Sequence, residues 1–383
     1  MNAALKEETE KLERSWMRHD AAMLRDYLVA SVEDPRINLQ SIFSRHFLLR
    51  EFFEVEQASR LSPAGVPHSN QQFTNAPEQF GALMEQEYRF AAVMNWLVEL
   101  AGPAGEAEEL AAVHHALARG ADNLEGLEIP RFVLRTFAAL PTTAGDLTVS
   151  NYIASFLSGA QFANGQPRLH EASLDTFRTL WNQALADLFP ISSRNTDPAP
   201  LAPKSREGAP PPQPLSVLEP ACGSANDYRF LQAYGLAPLL DYTGFDLCAK
   251  NIENARALFP GVRFEVGNVF EIAAPDKTFD LCFIHDLFEH LSLEGLNTAI
   301  REVCRVTRWG LCIGFFNMDE IPEHRVCPVD EYHWNTLSMA RMRELFATYG
   351  FAAQVLHVGT FLRQQIGCEH THNANAYTFI LRK

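Results

Sequence analysis

The sequence predicts an α/β protein in which a doubly wound α/β domain follows a mainly α-helical amino-terminal domain. The chain has 383 residues, more than a single hydrophobic core usually serves, so two domains are expected. Beyond residue 215, short apolar or β-branched runs alternate with amphipathic segments, a pattern typical of βαβ units and a parallel sheet. Before residue 196, apolar side chains recur with the period of an α-helix.

The boundary between the two patterns is a segment rich in proline. Residues 197–214 carry seven prolines, with Ala, Gly and Ser among polar residues. This composition favours extended polyproline conformations and cannot bury a core. We therefore predict a helical domain over residues 1–196, a linker over 197–214 and the α/β domain over 215–383.

Two apolar stripes indicate helices in the amino-terminal half. They consist of Leu12, Trp16, Met23 and Tyr27, and of Leu174, Phe177, Trp181, Leu185 and Leu188. Such stripes are more often core than a substrate-binding surface. Further helices are expected at about Asn38–Phe53, Pro77–Leu100, Ala104–Leu117, Pro130–Leu140 and Leu147–Leu157.

Charge and composition exclude several partners and locations. The formal net charge is −15, which disfavours nucleic acid and anionic membranes as partners because both are bound through clustered Lys and Arg. No apolar run reaches the length that spans a bilayer. The first residues lack the apolar region of a secretory signal, so a cytoplasmic location is expected. The seven cysteines form no C-x-x-C pair, which predicts buried, reduced thiols.

The segment from Leu215 to Asp227 indicates a nucleotide-binding turn. It begins as a buried strand, continues through small residues and enters a helix near Asn226. Small residues allow the backbone to approach a ligand at the helix N-terminus. Asp246 ends the next strand, where a carboxylate can accept hydrogen bonds from both ribose hydroxyls. NAD is an alternative ligand, but the segment has one glycine where the dinucleotide fingerprint has three.

Two later strand ends are expected at the same crevice. Arg263–Val266 leads into Gly267, Asn268 and Val269, and Phe279–Ile284 leads into the polar run that begins at His285. The carboxyl ends of parallel strands lie at one edge of a sheet, where ligands bind.

In the order of these motifs, residues Leu215 to Lys383 resemble the class I S-adenosylmethionine (SAM)-dependent methyltransferases, which have a seven-stranded Rossmann-like sheet. The later elements are similar too: Trp309–Phe316 resembles the fifth strand, Ser338–Tyr349 the next helix with its closing Gly350, Phe351–Gly359 the sixth strand and Ala376–Leu381 the antiparallel seventh.

The resemblance implies a role for each cofactor residue. It places Glu219, Ala221 and Gly223 at the methionine end of SAM, Asp246 and Leu247 at the ribose, Asn268 and Val269 at the adenine, and His285 beside the sulfonium.

Two departures from the family pattern affect the cofactor site. The usual D/E-x-G-x-G-x-G loop stands here as Glu219-Pro-Ala-Cys-Gly-Ser-Ala225, and Asn268 replaces the commoner aspartate. An alanine is strained where φ must be positive, but not where only a small side chain is needed. The oxygen of Asn268 can still accept a hydrogen bond from the adenine amino group. We expect weaker or differently shaped SAM binding rather than its loss.

The candidate catalytic residues are His285, Asp286 and His290, which follow the fourth strand together with Glu289. Any of them could act as a general base toward the acceptor. The alternative is an ordinary loop leading into a helix that begins at Ser292. No metal is expected, because Cys368, His370 and His372 lack a recognised ligand spacing.

The resulting hypothesis is a SAM-dependent methyltransferase acting on a small molecule, with oxygen as one acceptor. The helical half would cap the active site, form a homodimer, or both. The strand-four segment lacks the Pro-Pro signature of nucleic-acid amino methylation. Two alternatives stay open: a protein methyltransferase that uses the helical half for recognition, and a non-catalytic scaffold with a degenerate SAM fold.

Overall fold

The computed structural model describes residues 1–18, 214–233, 236–366 and 373–383, together with isolated positions between 44 and 131. The helices predicted between residues 77 and 188, the linker up to residue 213, and the loop with His370 and His372 lie outside the described residues, apart from a few of those positions. They remain predictions.

The amino-terminal helix is α1, Ala3–Arg18. It contains Leu12 and Trp16 of the first predicted stripe, whereas Met23 and Tyr27 lie outside the described residues. The described positions between 44 and 51 are helical, as expected for that segment. Asn123–Leu124 and Leu127–Glu128 form a short antiparallel pair.

Seven strands form the main sheet. They are β1 (Leu215–Pro220), β2 (Leu240–Asp246), β3 (Arg263–Val266), β4 (Phe279–His285), β5 (Thr307–Phe315), β6 (Ala352–His357) and β7 (Tyr377–Arg382). Their order across the sheet is β6-β7-β5-β4-β1-β2-β3. Strand β7 pairs antiparallel with β5 and β6, and the other pairs are parallel.

Helices connect the strands. They are α2 (Asn226–Ala233), α3 (Ala249–Leu258), α4 (Leu293–Val306) and α5 (Met339–Thr348), with short helical segments at Ala237–Leu239, Phe288–His290, Val358–Phe361 and Leu362–Ile366. Short strands at Met318–Asp319, Pro328–Val329, Tyr332–His333 and Leu337–Ser338 follow β5.

Local chemistry explains where two of these helices begin. The Ser292 hydroxyl accepts a hydrogen bond from Gly295 N and caps α4, as predicted, and Ser338 caps α5 through Arg341 N. Gly350 adopts φ +82° directly after α5, a conformation that glycine adopts without strain.

The core lies between the sheet and α4 and α5. Strand β4 is buried from Phe279 to Ile284, which is typical of a central parallel strand covered on both faces. Its residues pack with β5 and with Val303 and Phe346 of the two helices. The cysteines agree with the expectation for thiols: among the described residues five are buried, Cys327 is exposed, and none forms a disulfide.

Several observed strand bounds differ from the predicted ones by one or two residues. The fifth strand begins at Thr307, two positions earlier than expected. The sixth ends at His357 because Val358–Phe361 is helical, so the prediction of a strand up to Gly359 was wrong there. Among the described residues, no helix is long and apolar enough to cross a membrane.

Candidate active site

The site lies at the carboxyl ends of the parallel strands. Strand β1 has β4 on one side and β2 on the other, so chain connections leave β1 and β4 in opposite directions across the sheet. Ligands of doubly wound sheets bind at such a switch point. The predicted cofactor residues all lie in the last two positions of β1, β2 and β4 or in the loops that follow β1, β2 and β3.

The turn after β1 has positive φ angles at its alanines, which is the strained one of the two conformations that the sequence analysis allowed. Ala221, Gly223 and Ala225 have φ values of +56°, +54° and +69°. An L-residue in this region costs roughly 1–2 kcal/mol. Both alanines therefore stand where glycine would be unstrained, and the turn keeps the shape of a glycine loop with only Gly223 of the three glycines.

Backbone hydrogen bonds hold the turn in this shape. Cys222 N donates to Phe245 O at 3.0 Å, and Gly223 N donates to Asp246 Oδ2 at 3.0 Å. A Cβ built on Gly223 would meet no atom within 4 Å. The turn therefore faces open space, and its backbone is accessible to a ligand there.

Asp246 joins the turn to the loop after β2. Besides Gly223 N, its carboxylate accepts from Cys248 N at 2.8 Å and from Asn251 Nδ2 at 3.3 Å. Burial raises the pKa of Asp246, and these three donors oppose that effect. A carboxylate has about four acceptor positions, so Asp246 can still accept from a ribose hydroxyl. Leu247 follows it directly and is half-buried.

Glu219 lies beneath the turn rather than in front of it. Only 4% of its surface is exposed, and its carboxyl group accepts a hydrogen bond from the Tyr242 hydroxyl. Burial, reinforced by the nearby charge of Asp227, raises the pKa of Glu219 well above its ordinary value. The predicted contact of Glu219 with a ligand remains a prediction, and its observed partner is Tyr242.

Asn268 follows β3, where the resemblance expects the adenine. Its Oδ1 accepts from Phe270 N at 2.8 Å, and its Nδ2 donates to Thr9 Oγ1 at 2.9 Å. Val269 packs against the core beside it. Thr9 belongs to α1, and nothing in the sequence pattern had assigned it to the site.

His285 ends β4 and forms an ion pair with Asp227 at the start of α2. The distance from Nδ1 to Oδ2 is 2.7 Å, and the His285 side chain is 7% exposed. Burial lowers the pKa of His285, but the Asp227 charge and hydrogen bond outweigh it, so the net pKa is raised. His285 Nε2 has no hydrogen-bond partner among the described residues. The pair connects the cofactor turn with the end of β4.

Asp286 is the next residue and has a strained backbone, with φ +52°. Its side chain is exposed to solvent at one side, while neighbouring protein atoms partly desolvate the carboxyl group. This desolvation raises its pKa to about 6, an effect that His285 opposes and Asp227 reinforces. Strained non-glycine residues often lie at active sites, and a carboxyl group with this pKa can exchange protons near neutral pH.

Glu289 links the loop after β4 to the end of β5. It is fully buried, and its Oε1 accepts from Phe316 N at 2.7 Å and Asn317 N at 3.2 Å. Burial, together with the Asp286 charge, raises the pKa of Glu289 to about 8 despite these donors. At neutral pH the group is mostly protonated.

His290 lies in an aromatic cluster that we define as His290, Phe316, Tyr332 and Trp334. The centroid of its ring is 5.2 Å from Phe316, 5.7 Å from Tyr332 and 5.4 Å from Trp334. His290 Nδ1 lies 3.1 Å from His333 O. Because a carbonyl can only accept, Nδ1 carries the proton and Nε2 is left as an acceptor. Burial lowers the pKa of His290, which favours this neutral form.

His324, which follows β5 in the chain, has a structural partner. His324 Nδ1 accepts from Ser338 N at 3.0 Å at the start of α5. Cys368 and the two histidines after it lie outside the described residues. Within the described part of the chain, no group of three or more His, Cys, Asp or Glu side chains is arranged to hold a metal ion.

Helix α1 is the part of the site that the sequence analysis missed. Glu8 accepts hydrogen bonds from both N and Oγ of Ser292, each at 2.6 Å, and Arg14 forms an ion pair with Glu331 at 3.3 Å. The helix also contacts the Tyr332–His333 strand. It therefore extends from the Asn268 loop to the segment that carries the aromatic cluster.

Part of this region of the chain matches a known family of domains. A family model described as a methyltransferase domain matches residues 217–310, which extend from β1 into β5. Residues Leu215–Lys383 have the seven-stranded sheet of the class I methyltransferase fold, and the first part of this region matches the methyltransferase-domain model. The prediction of a methyltransferase domain in this part of the chain is thus confirmed.

One curated protein is similar to this domain in sequence. A protein of Mycolicibacterium smegmatis named as a probable SAM-dependent methyltransferase is 27% identical over 144 residues. That match covers 36% of this chain and 52% of the relative, so the chain spans about half the length of the curated relative.

Two solved structures are also similar. A Burkholderia thailandensis 1,6-didemethyltoxoflavin-N1-methyltransferase, with that compound and S-adenosylhomocysteine bound, is 18% identical, with coverage of 45% of this chain and 72% of the other and a TM-score of 0.34. A protein from Pyrococcus horikoshii is 22% identical, with coverage of 44% and 82% and a TM-score of 0.34.

Proposed function

We propose that the protein transfers a methyl group from SAM to an oxygen atom of a small-molecule acceptor, by in-line displacement. SAM, when bound, supplies an activated methyl group on a sulfonium that is already a good leaving group. The protein's task is then to align the two reactants and, for a hydroxyl acceptor, to remove a proton.

The described residues fit the cofactor. The open space in front of Gly223 leaves room for the methionine end, and Asp246 keeps about one acceptor position for a ribose hydroxyl. Asn268 presents a fixed amide at the position expected for adenine. These residues follow β1, β2 and β3, so they lie along one edge of the sheet.

The environment of His290 is the main support for a hydroxyl group as the methyl acceptor. The imidazole is neutral, its Nδ1 proton is bound to His333 O, and its Nε2 is an acceptor. Phe316 and Trp334, which is 47% exposed, offer apolar faces beside it. A neutral imidazole among aromatic rings can bind an apolar or planar small molecule and accept its hydroxyl proton. Asp286, whose pKa is about 6, is the second candidate base.

Charge supports a small acceptor over a nucleic acid. The net charge of −15 opposes phosphate-rich partners and anionic membrane surfaces. For the helical half we propose that it caps the site or forms a homodimer, since α1 already lies against the methyltransferase domain.

The strained turn favours a second candidate, a non-catalytic scaffold. Ala221 and Ala225 both pay the cost of positive φ, and a domain that no longer binds SAM would tolerate such a loop. A protein methyltransferase is the third reading.

Two experiments separate these candidates. Isothermal titration of the full chain with SAM and S-adenosylhomocysteine, alongside Asp246→Ala, tests cofactor binding. Micromolar binding that the substitution abolishes supports the methyltransferase, whereas no binding to the native chain supports the scaffold. Transfer of labelled methyl groups to separate panels of phenols, amines and unfolded peptides then tests the acceptor. Labelled phenols support the proposal, and label confined to peptides supports the protein methyltransferase.

A further inference from the structure

The hydroxyl of Thr9 has a fixed hydrogen-bond direction. It donates its single proton to Leu5 O at 2.8 Å, one turn earlier in α1, because the other acceptor within reach, Met1 Sδ at 3.8 Å, is a weak one. Toward Asn268 the hydroxyl can therefore act only as an acceptor. This requires the side-chain amide of Asn268 to present its NH₂ group to Thr9, as observed at 2.9 Å.

The opposite side of the amide is fixed by the loop after β3. Phe270 N needs an acceptor, and Asn268 Oδ1 supplies it at 2.8 Å. Rotating the amide by 180° would place two donors against each other at Phe270 and two acceptors against each other at Thr9. The orientation of Asn268 is thus set from both sides, by its own loop and by a residue of a distant helix.

Helix α1 is anchored well enough to hold Thr9 in place. The neighbouring Glu8 binds both N and Oγ of Ser292 at 2.6 Å, and an added Cβ on Gly295 would lie 2.8 Å from the Glu8 carboxylate oxygens. Leu5 is 4% exposed and belongs to the core of the methyltransferase domain. Thr9 therefore occupies a fixed position relative to Asn268.

We propose that Thr9 is a positioning residue that determines purine specificity: it holds the Asn268 amide so that Oδ1 faces the cofactor, which selects a 6-aminopurine over a 6-oxopurine. The second lone pair of Oδ1 accepts from an exocyclic amino group, whereas a 6-oxo group would meet it as a second acceptor. This inference rests on the proposed use of SAM. It adds a residue of α1, outside the seven-stranded sheet, to the cofactor site.

The test compares the affinities of the full chain for S-adenosylhomocysteine and S-inosylhomocysteine by isothermal titration. The native chain should bind the adenosine compound at least about tenfold more tightly, since a mismatched polar contact is left unpaired. Thr9→Val removes the acceptor at nearly constant size. It should reduce the ratio of the two affinities, adenosine compound to inosine compound, about threefold to tenfold, which is the effect of one hydrogen bond. Thr9→Ser keeps the hydroxyl and should keep the ratio.

A second comparison, made in the Asn268→Asp protein, separates an effect on the orientation of the residue 268 side chain from an effect on stability alone. In Asn268→Asp both side-chain oxygens are acceptors, so no orientation needs to be selected, and adding Thr9→Val should leave the ratio unchanged. An unchanged ratio in Thr9→Val alone, or an equal decrease in both backgrounds, would overturn the inference while leaving the proposed function intact. Failure of the native chain to bind either nucleoside would overturn both.

Discussion

The Nδ1 atom of His285 lies 2.7 Å from Oδ2 of Asp227. This contact joins the end of β4 to the first turn of α2. His285 is the last residue of β4, and Asp227 lies in the helix that follows the turn after β1, so the pair joins the two strands of the switch point. The pair is mostly buried, so the charge of Asp227 acts on His285 with little screening by solvent. This contact explains why a buried histidine has a raised pKa.

Asp227→Asn should lower the pKa of His285 below its ordinary value of 6.5, because burial then acts without the opposing charge. NMR titration of the His285 ring in both proteins measures this change directly. Asp286→Asn is a suitable control, since removing that weaker charge should lower the pKa less. A His285 pKa that stays above 6.5 in Asp227→Asn would contradict the assignment.

The same pair predicts how stability depends on pH. A group whose pKa is higher in the folded than in the unfolded state stabilises the fold below the unfolded pKa and loses this effect as pH rises through the folded value. Native protein should therefore lose more stability between pH 5.5 and pH 8.5 than His285→Gln does, in urea unfolding experiments. Equal losses would indicate that His285 is not the group responsible.

His290→Gln should lower kcat about 100- to 10,000-fold for a hydroxyl acceptor, the range expected for a general base. The affinity for S-adenosylhomocysteine should stay unchanged, because His290 lies with the aromatic cluster and not at the cofactor turn. The native rate should fall as pH drops below the lowered pKa of His290. If this decrease in rate at low pH instead disappears in Asp286→Asn and persists in His290→Gln, Asp286 is the base.

Local patterns were sufficient to predict the sheet but not the contacts that complete the site. The strand Arg263–Val266 and the cap at Ser292 were predicted correctly, since each depends on neighbours in sequence. The conformation of Ala221 was left open, because a small side chain fits either backbone. The Thr9–Asn268 and Glu8–Ser292 contacts join residues 259 and 284 positions apart, and no periodicity records such pairings.

Ala221→Gly should stabilise the protein by roughly 0.5–1 kcal/mol. Relief of the positive φ gains about 1–2 kcal/mol, from which about 0.5–1 kcal/mol is lost to the greater freedom of glycine in the unfolded chain. Ala225→Gly should gain less, because its methyl group is buried and its removal costs about 0.8 kcal/mol. Urea unfolding midpoints at an unchanged m value measure both effects. A destabilised Ala221→Gly protein would show that the alanine is unstrained.

Glu289→Gln should stabilise the protein at pH 8 and have little effect at pH 5. The pKa of Glu289 is raised from 4.5 to about 8, so between these values the folded state binds the proton that the unfolded state has lost. Native stability then falls as pH rises, with a slope of up to about 1.4 kcal/mol per pH unit. Glutamine keeps an oxygen for Phe316 N and Asn317 N but cannot ionise, which removes this slope. Glu302→Gln is the matched control, since that carboxylate has a bonded partner in Arg305; parallel pH profiles for native protein and Glu289→Gln would contradict the buried, protonated state.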